Sequence, residues 1–120
     1  SMNLGVDLCH IPRVEQLIRR RPGFTRRFFT EKEQVLFDKP NPAQTVAAHF
    51  ALKEAFAKAL GTGVVGFDLN EVEVLRNSAG APLILVHGRA KARLDEQGYC
   101  EIVCSMSHDK DYAIGMVILK

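Results

Sequence analysis

Tryptophan is absent from this 120-residue chain, and only two tyrosines are present. A surface that stacks nucleic-acid bases on a sheet therefore has little material to be built from. Cysteine is scarce and odd in number, at three, which excludes a complete disulfide framework. Cys9, Cys100 and Cys104 have no paired metal-ligand spacing and read as reduced, partly buried small hydrophobes. Cys100 and Cys104 would share a face of a strand, too far apart to bridge directly. His10, His49 and His87 likewise make no metal pattern. Long apolar runs are missing: stretches such as Pro82-Leu83-Ile84-Leu85-Val86 are far too short to span a bilayer. Asp7 interrupts the short apolar start, so nothing resembles a signal peptide, and the expected compartment is the cytosol.

What is there is the mixture of a folded domain, 47% hydrophobic and 25% charged. The length suits one domain over residues 1–120, with a core that needs neither metal nor disulfide. The net charge of +2 conceals an asymmetry. Residues 13–32 carry seven basic and two acidic side chains, a local charge of +5, which leaves the remainder at −3. Arg19-Arg20-Arg21 with Arg13, Arg26, Arg27 and Lys32 would attract a polyanion, whether nucleic acid, membrane surface, phosphorylated ligand or acidic protein.

Patterning gives the order of elements. Leu4–Leu8 reads as a strand with an acid, Asp7, inside it. Pro12 to about Arg21 has helical spacing through Val14, Leu17 and Ile18, and Pro22-Gly23 ends it. Thr30-x-x-Glu33 is a capping box that opens a short second helix. A loop at Lys39-Pro40-Asn41-Pro42 precedes the best-defined helix, from Ala43 or Thr45 to Leu60, with a wide apolar face and Gly61 as its C-cap. The second half alternates as strands over Glu71–Leu75, Pro82–Val86, Ile102–Ser107 and Tyr112–Leu119. Asn77–Gly80 and His108–Asp111 read as turns, and Arg89–Glu96 as a helix closed by Gly98. The fold class is α+β with a mostly antiparallel sheet.

A few residues suggest chemistry. Asp7 sits among apolar residues and glycine, where a carboxylate needs a partner or a metal unless it faces water. Glu54 and Lys58 are four apart on the long helix, a spacing that fits either a surface ion pair or a carboxylate and a cation presented together to a phosphate. Mg²⁺ takes one or two carboxylates plus phosphate oxygens, and Asp7 and Glu54 would supply them if strand and helix pack together. Gly61-Thr62-Gly63 follows directly, with backbone N–H groups that could approach phosphate oxygens. Ser107 and His108 in the last turn are further donors, though a surface histidine is the commoner case there.

Taken together, Gly5-Val6-Asp7, KEAFAKALGTG at 53–63, SMSHDKDYAIGMVIL at 105–119 and FTRRFFTEKE at 24–33 resemble the holo-acyl-carrier-protein synthases. These are the short bacterial branch of the 4′-phosphopantetheinyl transferases. The resemblance implies that fold, with a bent antiparallel sheet packed on a long helix. It also implies transfer of 4′-phosphopantetheine from coenzyme A to a serine of apo-acyl carrier protein, releasing adenosine 3′,5′-bisphosphate, as part of fatty acid biosynthesis. By the same resemblance Asp7 and Glu54 would hold Mg²⁺, with Glu54 and Lys58 catalytic. Lys58, Gly61, Thr62, Gly63, Ser107 and His108 would line the coenzyme A site. Arg13, Leu17, Arg20 and Arg21 would dock the acidic carrier protein, and the chain would be a homotrimer with sites between subunits. Three positions depart from relatives: His10 in place of a glutamate, His49 in place of an arginine, and Gln34 where some carry aspartate. A second reading is a non-catalytic basic module that binds an acidic protein or RNA through residues 13–27. It offers no reason for KEAxxK before GTG, and it lacks the aromatic platform.

Overall fold

A computed structural model describes residues 1–120. Five helices and five strands follow one another as β1 (Asn3–His10), α1 (Ile11–Arg20), α2 (Phe24–Phe28), α3 (Glu31–Leu36), α4 (Ala43–Ala59), β2 (Val72–Arg76), β3 (Pro82–Val86), α5 (Gly88–Glu96), β4 (Ile102–Asp109) and β5 (Tyr112–Leu119). Every strand pairing is antiparallel, in a three-stranded sheet of order β1-β5-β4 and a two-stranded sheet β2-β3. The α+β class expected from the sequence is what forms. No helix is long and apolar enough to cross a membrane.

Helix α4 is the axis of the molecule. Ala47, Ala51, Ala55 and Ala59 recur every fourth residue, so they share one face, and all four are fully buried. Small side chains there let the helix lie directly on the three-stranded sheet, which presents glycines in return. A Cβ on Gly5 of β1 would overlap the Ala55 carbonyl oxygen, and one on Gly115 of β5 would lie 2.7 Å from the Leu52 nitrogen. Leu52 and Phe56, with Val72, Val74 and Ile84 of the second sheet, form the larger core cluster. Phe29, Phe37, Val46 and Ala113 belong to a second cluster around the start of α4. The helix is therefore buried around most of its circumference rather than on one face.

Local signals placed most boundaries. The capping box forms as expected: Thr30 Oγ1 accepts from the Glu33 N–H at 3.3 Å, and Glu33 Oε1 accepts from the Thr30 N–H at 3.0 Å. Pro12 falls in the first turn of α1. Two expectations need correction. The segment after Pro22-Gly23 turns at once into α2, whose first turn is closed by the Arg27 N–H donating to the Gly23 carbonyl at 3.1 Å. Strand β4 continues through His108 to Asp109, because Asp109 pairs with Tyr112. The turn shrinks to Lys110-Asp111, with Lys110 at φ +52°. His108 is thus a strand residue, not a turn residue.

A candidate active site on strand β1 and helix α4

Close packing of β1 on α4 brings Asp7 to the last turns of the helix. Lys58 Nζ donates to Asp7 Oδ1 at 2.8 Å, across 51 residues of chain. The spacing argument offered a Glu54–Lys58 ion pair, and the structure replaces it with this one. A strand packed on a helix supplies a nearer partner than the helix supplies to itself. Lys58 is exposed, and a pair so open to water contributes little stability. It is therefore readily exchanged for a ligand's charge. The bond from Lys58 to Asp7 raises the lysine pKa, so the ammonium stays charged. Glu54 is half-buried beside Asp7, and its pKa is raised first by burial and then by the Asp7 charge, with Lys58 opposing. Two carboxylates and one cation thus share a corner. No cluster of three or more histidine, cysteine or acidic side chains suited to a metal occurs in the molecule. The donor set fits a Mg²⁺ ion that takes two carboxylates and completes its shell with water and phosphate, not a dedicated protein cage.

Gly61 and Gly63 follow at φ +83° and +64°, conformations that favour glycine. Their N–H groups are not bare. Gly61 donates to the Lys58 carbonyl at 2.9 Å and Gly63 to the Ala57 carbonyl at 3.2 Å, closing the end of α4. The sequence reading that both could cradle phosphate is corrected here. A helix C-terminus is the negative end of the dipole, so an anion at this corner depends on added positive charge, of which Lys58 is the part the chain supplies.

Ser107 and His108 lie elsewhere. They border a cavity of about 360 Å³ with Gln44, Thr45, Arg76 and Gly80, and His108 Nδ1 is 2.6 Å from Gln44 Nε2. Gln44 is in the first turn of α4, ten residues before Glu54, a rise of roughly 15 Å. Within one copy the candidate ligand-binding residues therefore fall into two groups at opposite ends of α4. On α1, Arg13 and Arg20 are exposed and Leu17 is half-buried, and the exposed Arg21 caps the end of the helix. Spacings of four and seven put Leu17 and Arg20 on one face with Arg13. Arg19 is paired instead with Glu15 at 3.0 Å. Leu17 and Arg21 continue into a groove of about 390 Å³ completed by Gly23, Phe24, Arg27 and Phe28.

Comparison with known proteins decides the family. The model of the 4′-phosphopantetheinyl transferase superfamily matches residues 3–117. The chain belongs to this superfamily. A holo-[acyl-carrier-protein] synthase of Caldanaerobacter subterraneus subsp. tengcongensis is 40% identical over 116 residues, covering 96% of this chain and 91% of the relative. The crystal structure of the holo-[acyl-carrier-protein] synthase from Neisseria meningitidis superposes with a TM-score of 0.90 at 29% identity, covering 98% of this chain and 97% of that one. The Helicobacter pylori synthase, solved in complex with coenzyme A, gives 0.85 at 32% identity, covering 98% and 99%. The fold is that of the phosphopantetheinyl transferases.

In this transferase the sequence also concealed a buried polar network. Glu33, His49, Lys53 and Glu73 are all buried. Lys53 Nζ donates to Glu33 Oε1 at 2.8 Å and to the Leu69 and Val72 carbonyls at 3.0 and 2.8 Å. The other Glu33 oxygen accepts from the Val74 N–H at 3.2 Å. Glu73 is bonded by the Thr30 hydroxyl and by His87 Nε2, the latter at 3.1 Å. Burial alone would raise the Glu33 pKa; the facing His49 ring, the Lys53 ammonium and the Thr30 N–H outweigh it and hold it low. The sequence signal was weak: a lysine on an alanine-rich helix with a wide apolar face. Of the departures, His10 packs its ring 5.1 Å from Tyr112, and Gln34 Nε2 donates to the Phe29 carbonyl at 3.1 Å.

Proposed function

We propose that the chain transfers 4′-phosphopantetheine from coenzyme A to a serine of an apo-acyl carrier protein, with Mg²⁺, releasing adenosine 3′,5′-bisphosphate. The observation that carries this reading is the meeting of Asp7, Glu54 and Lys58 at one corner of a phosphopantetheinyl transferase fold. Asp7 and Glu54 would hold the Mg²⁺, which supplies neutralisation of the diphosphate when bound. Lys58, released from Asp7, would meet charge on the diphosphate and on the leaving phosphate. Glu54, at the edge of the corner, would also accept the serine proton. The serine oxygen forms a bond to the pantetheine phosphorus while the bond from that phosphorus to the bridging oxygen breaks. The leaving group departs as the bisphosphate. Such transfer needs positioning and charge neutralisation more than covalent help. Gly61, Thr62 and Gly63 would shape the wall beside Lys58, and Ser107 and His108 would line the nucleotide end of the coenzyme A site. The setting would be the cytoplasm, as part of fatty acid biosynthesis. Incubation with apo-carrier, coenzyme A and Mg²⁺ should add one phosphopantetheine mass to the carrier in mass spectrometry; an unchanged carrier rejects the reading.

Arg13, Arg20 and Arg21 with Leu17 would dock the carrier, which is acidic. Arg13→Glu with Arg20→Glu should raise KM for the carrier by at least about tenfold, since close charge pairs at interfaces couple by ~1.5 kcal/mol or more. KM for coenzyme A should stay near wild type. Equal effects on both substrates remove the docking role.

The assembly would be a homotrimer. The sheet face away from α4 exposes Leu4, Val6, Leu8, Val103, Ile114 and Met116, an apolar surface that needs a cover. A neighbouring copy would also bring the Ser107–His108 end to the Lys58 corner, which one copy cannot do. Multi-angle light scattering should give three times the 13.4 kDa chain mass. A fully active monomer contradicts the shared site.

A further inference from the structure

The cavity beside Ser107 and His108 has one strong cation, Arg76, at the end of β2. No carboxylate borders it; Gln44, Thr45, Ser107 and His108 supply the other polar groups. The arginine is tethered twice. Its Nη1 donates to the Gly80 carbonyl at 3.4 Å, and its Nη2 lies 3.4 Å from His49 Nε2.

That second contact fixes the histidine. A guanidinium can only donate, so Nε2 must accept and the ring proton must sit on Nδ1. Nδ1 is buried without a hydrogen-bond partner, and it faces Glu33 Oε2 at 3.6 Å. The opposite tautomer would set N–H against N–H at Arg76 and leave Nδ1 a bare acceptor facing a carboxylate. Glu33 is itself held by Lys53 and the Val74 N–H, so the line from Glu33 through His49 to Arg76 starts from a fixed point.

We propose that Glu33 and His49 are positioning residues that hold Arg76 at the cavity mouth, where its remaining N–H groups grip the ribose 3′-phosphate of coenzyme A. This rests on the coenzyme A reading above. Coenzyme A carries two anionic groups, and the diphosphate belongs to the corner of Asp7, Glu54 and Lys58. The phosphate monoester needs a separate cation, and the cavity offers Arg76. A fork of donors suits a phosphate better than a single ammonium does.

The test is isothermal titration calorimetry with coenzyme A and with 3′-dephospho-coenzyme A, in Mg²⁺. Wild type should prefer coenzyme A by at least about tenfold, the scale of one charge-assisted hydrogen bond. Arg76→Ala should erase that preference while leaving the affinity for the dephospho form unchanged. His49→Leu and the bulkier His49→Phe should erase it too, although neither touches the ligand. His49→Gln, which keeps an acceptor for Arg76 and a donor toward Glu33, should restore most of it. A purely structural role for His49 would weaken both ligands alike. If Arg76→Ala weakens both ligands equally, or if the apolar His49 variant that folds keeps the wild-type preference, the proposal is overturned and the proposed function stands. If wild type binds neither ligand, both fall together.

Discussion

Glu54→Gln should lower kcat by roughly three orders of magnitude, within the range for loss of a positioned proton acceptor, while the protein melts at nearly its wild-type temperature. Glutamine keeps the shape of the side chain but can neither accept the serine proton nor match a carboxylate as a metal ligand. The fold should tolerate the change because no hydrogen bond of the core depends on Glu54. Its burial beside Asp7 opposes ionisation, so the variant also relieves an unfavourable pair of like charges. Asp7→Asn should be similarly inactive, and in that variant Glu54 should titrate at lower pH, since the Asp7 field no longer opposes its charge. NMR titration of Glu54 in the free protein reads the shift directly. Near-normal turnover by Glu54→Gln would remove both roles given to this residue.

Glu33→Ala should destabilise the protein by about 3–5 kcal/mol, the cost of leaving a buried partner charge uncompensated. Lys53 would keep two carbonyl acceptors but lose the carboxylate bonded to it. Replacing both, as Glu33→Leu with Lys53→Met, should recover a large part of the loss, because an apolar pair removes the stranded charge. Chemical denaturation of the three variants checks this, and an additive double variant would show that the pair is not coupled. The pH dependence has a definite sign. The Glu33 pKa is lower in the folded protein than in the unfolded chain, so the stabilisation is complete above the ordinary glutamate range. It is lost as pH falls through that range toward the folded value. Wild type should therefore lose stability on acidification more steeply than the double variant does.

Much of this was legible before any coordinates. Asp7 stood out because a carboxylate inside an apolar strand has few reasons to be there. The capping box at Thr30 and Glu33 located α3 because its chemistry is local. The pairings were harder. Helical spacing offered Lys58 only Glu54, and the true partner lies on a strand 51 residues away, where no periodicity can point. Glu33 was legible as a cap but not as the counter-ion of Lys53, since that role depends on α3 folding over α4. Lys53 itself looked like any surface lysine. The stronger hint was that so alanine-rich a helix leaves almost no face for solvent. The N–H groups of Gly61 and Gly63 looked open because the sequence does not show which carbonyls of α4 claim them.

The three-stranded sheet has its last-made strand in the middle. β5 lies between β1 and β4, and Asn3 pairs with Leu119. Asp7 faces Gly115 across that ladder, so its surroundings are complete only once β5 has paired. A ribosome-bound fragment that ends before Tyr112 has both outer strands but nothing to join them. A chain interrupted before β5 would leave Asp7 on a strand with no ladder to hold it, so β5, central in the sheet, is what fixes the acidic corner in place.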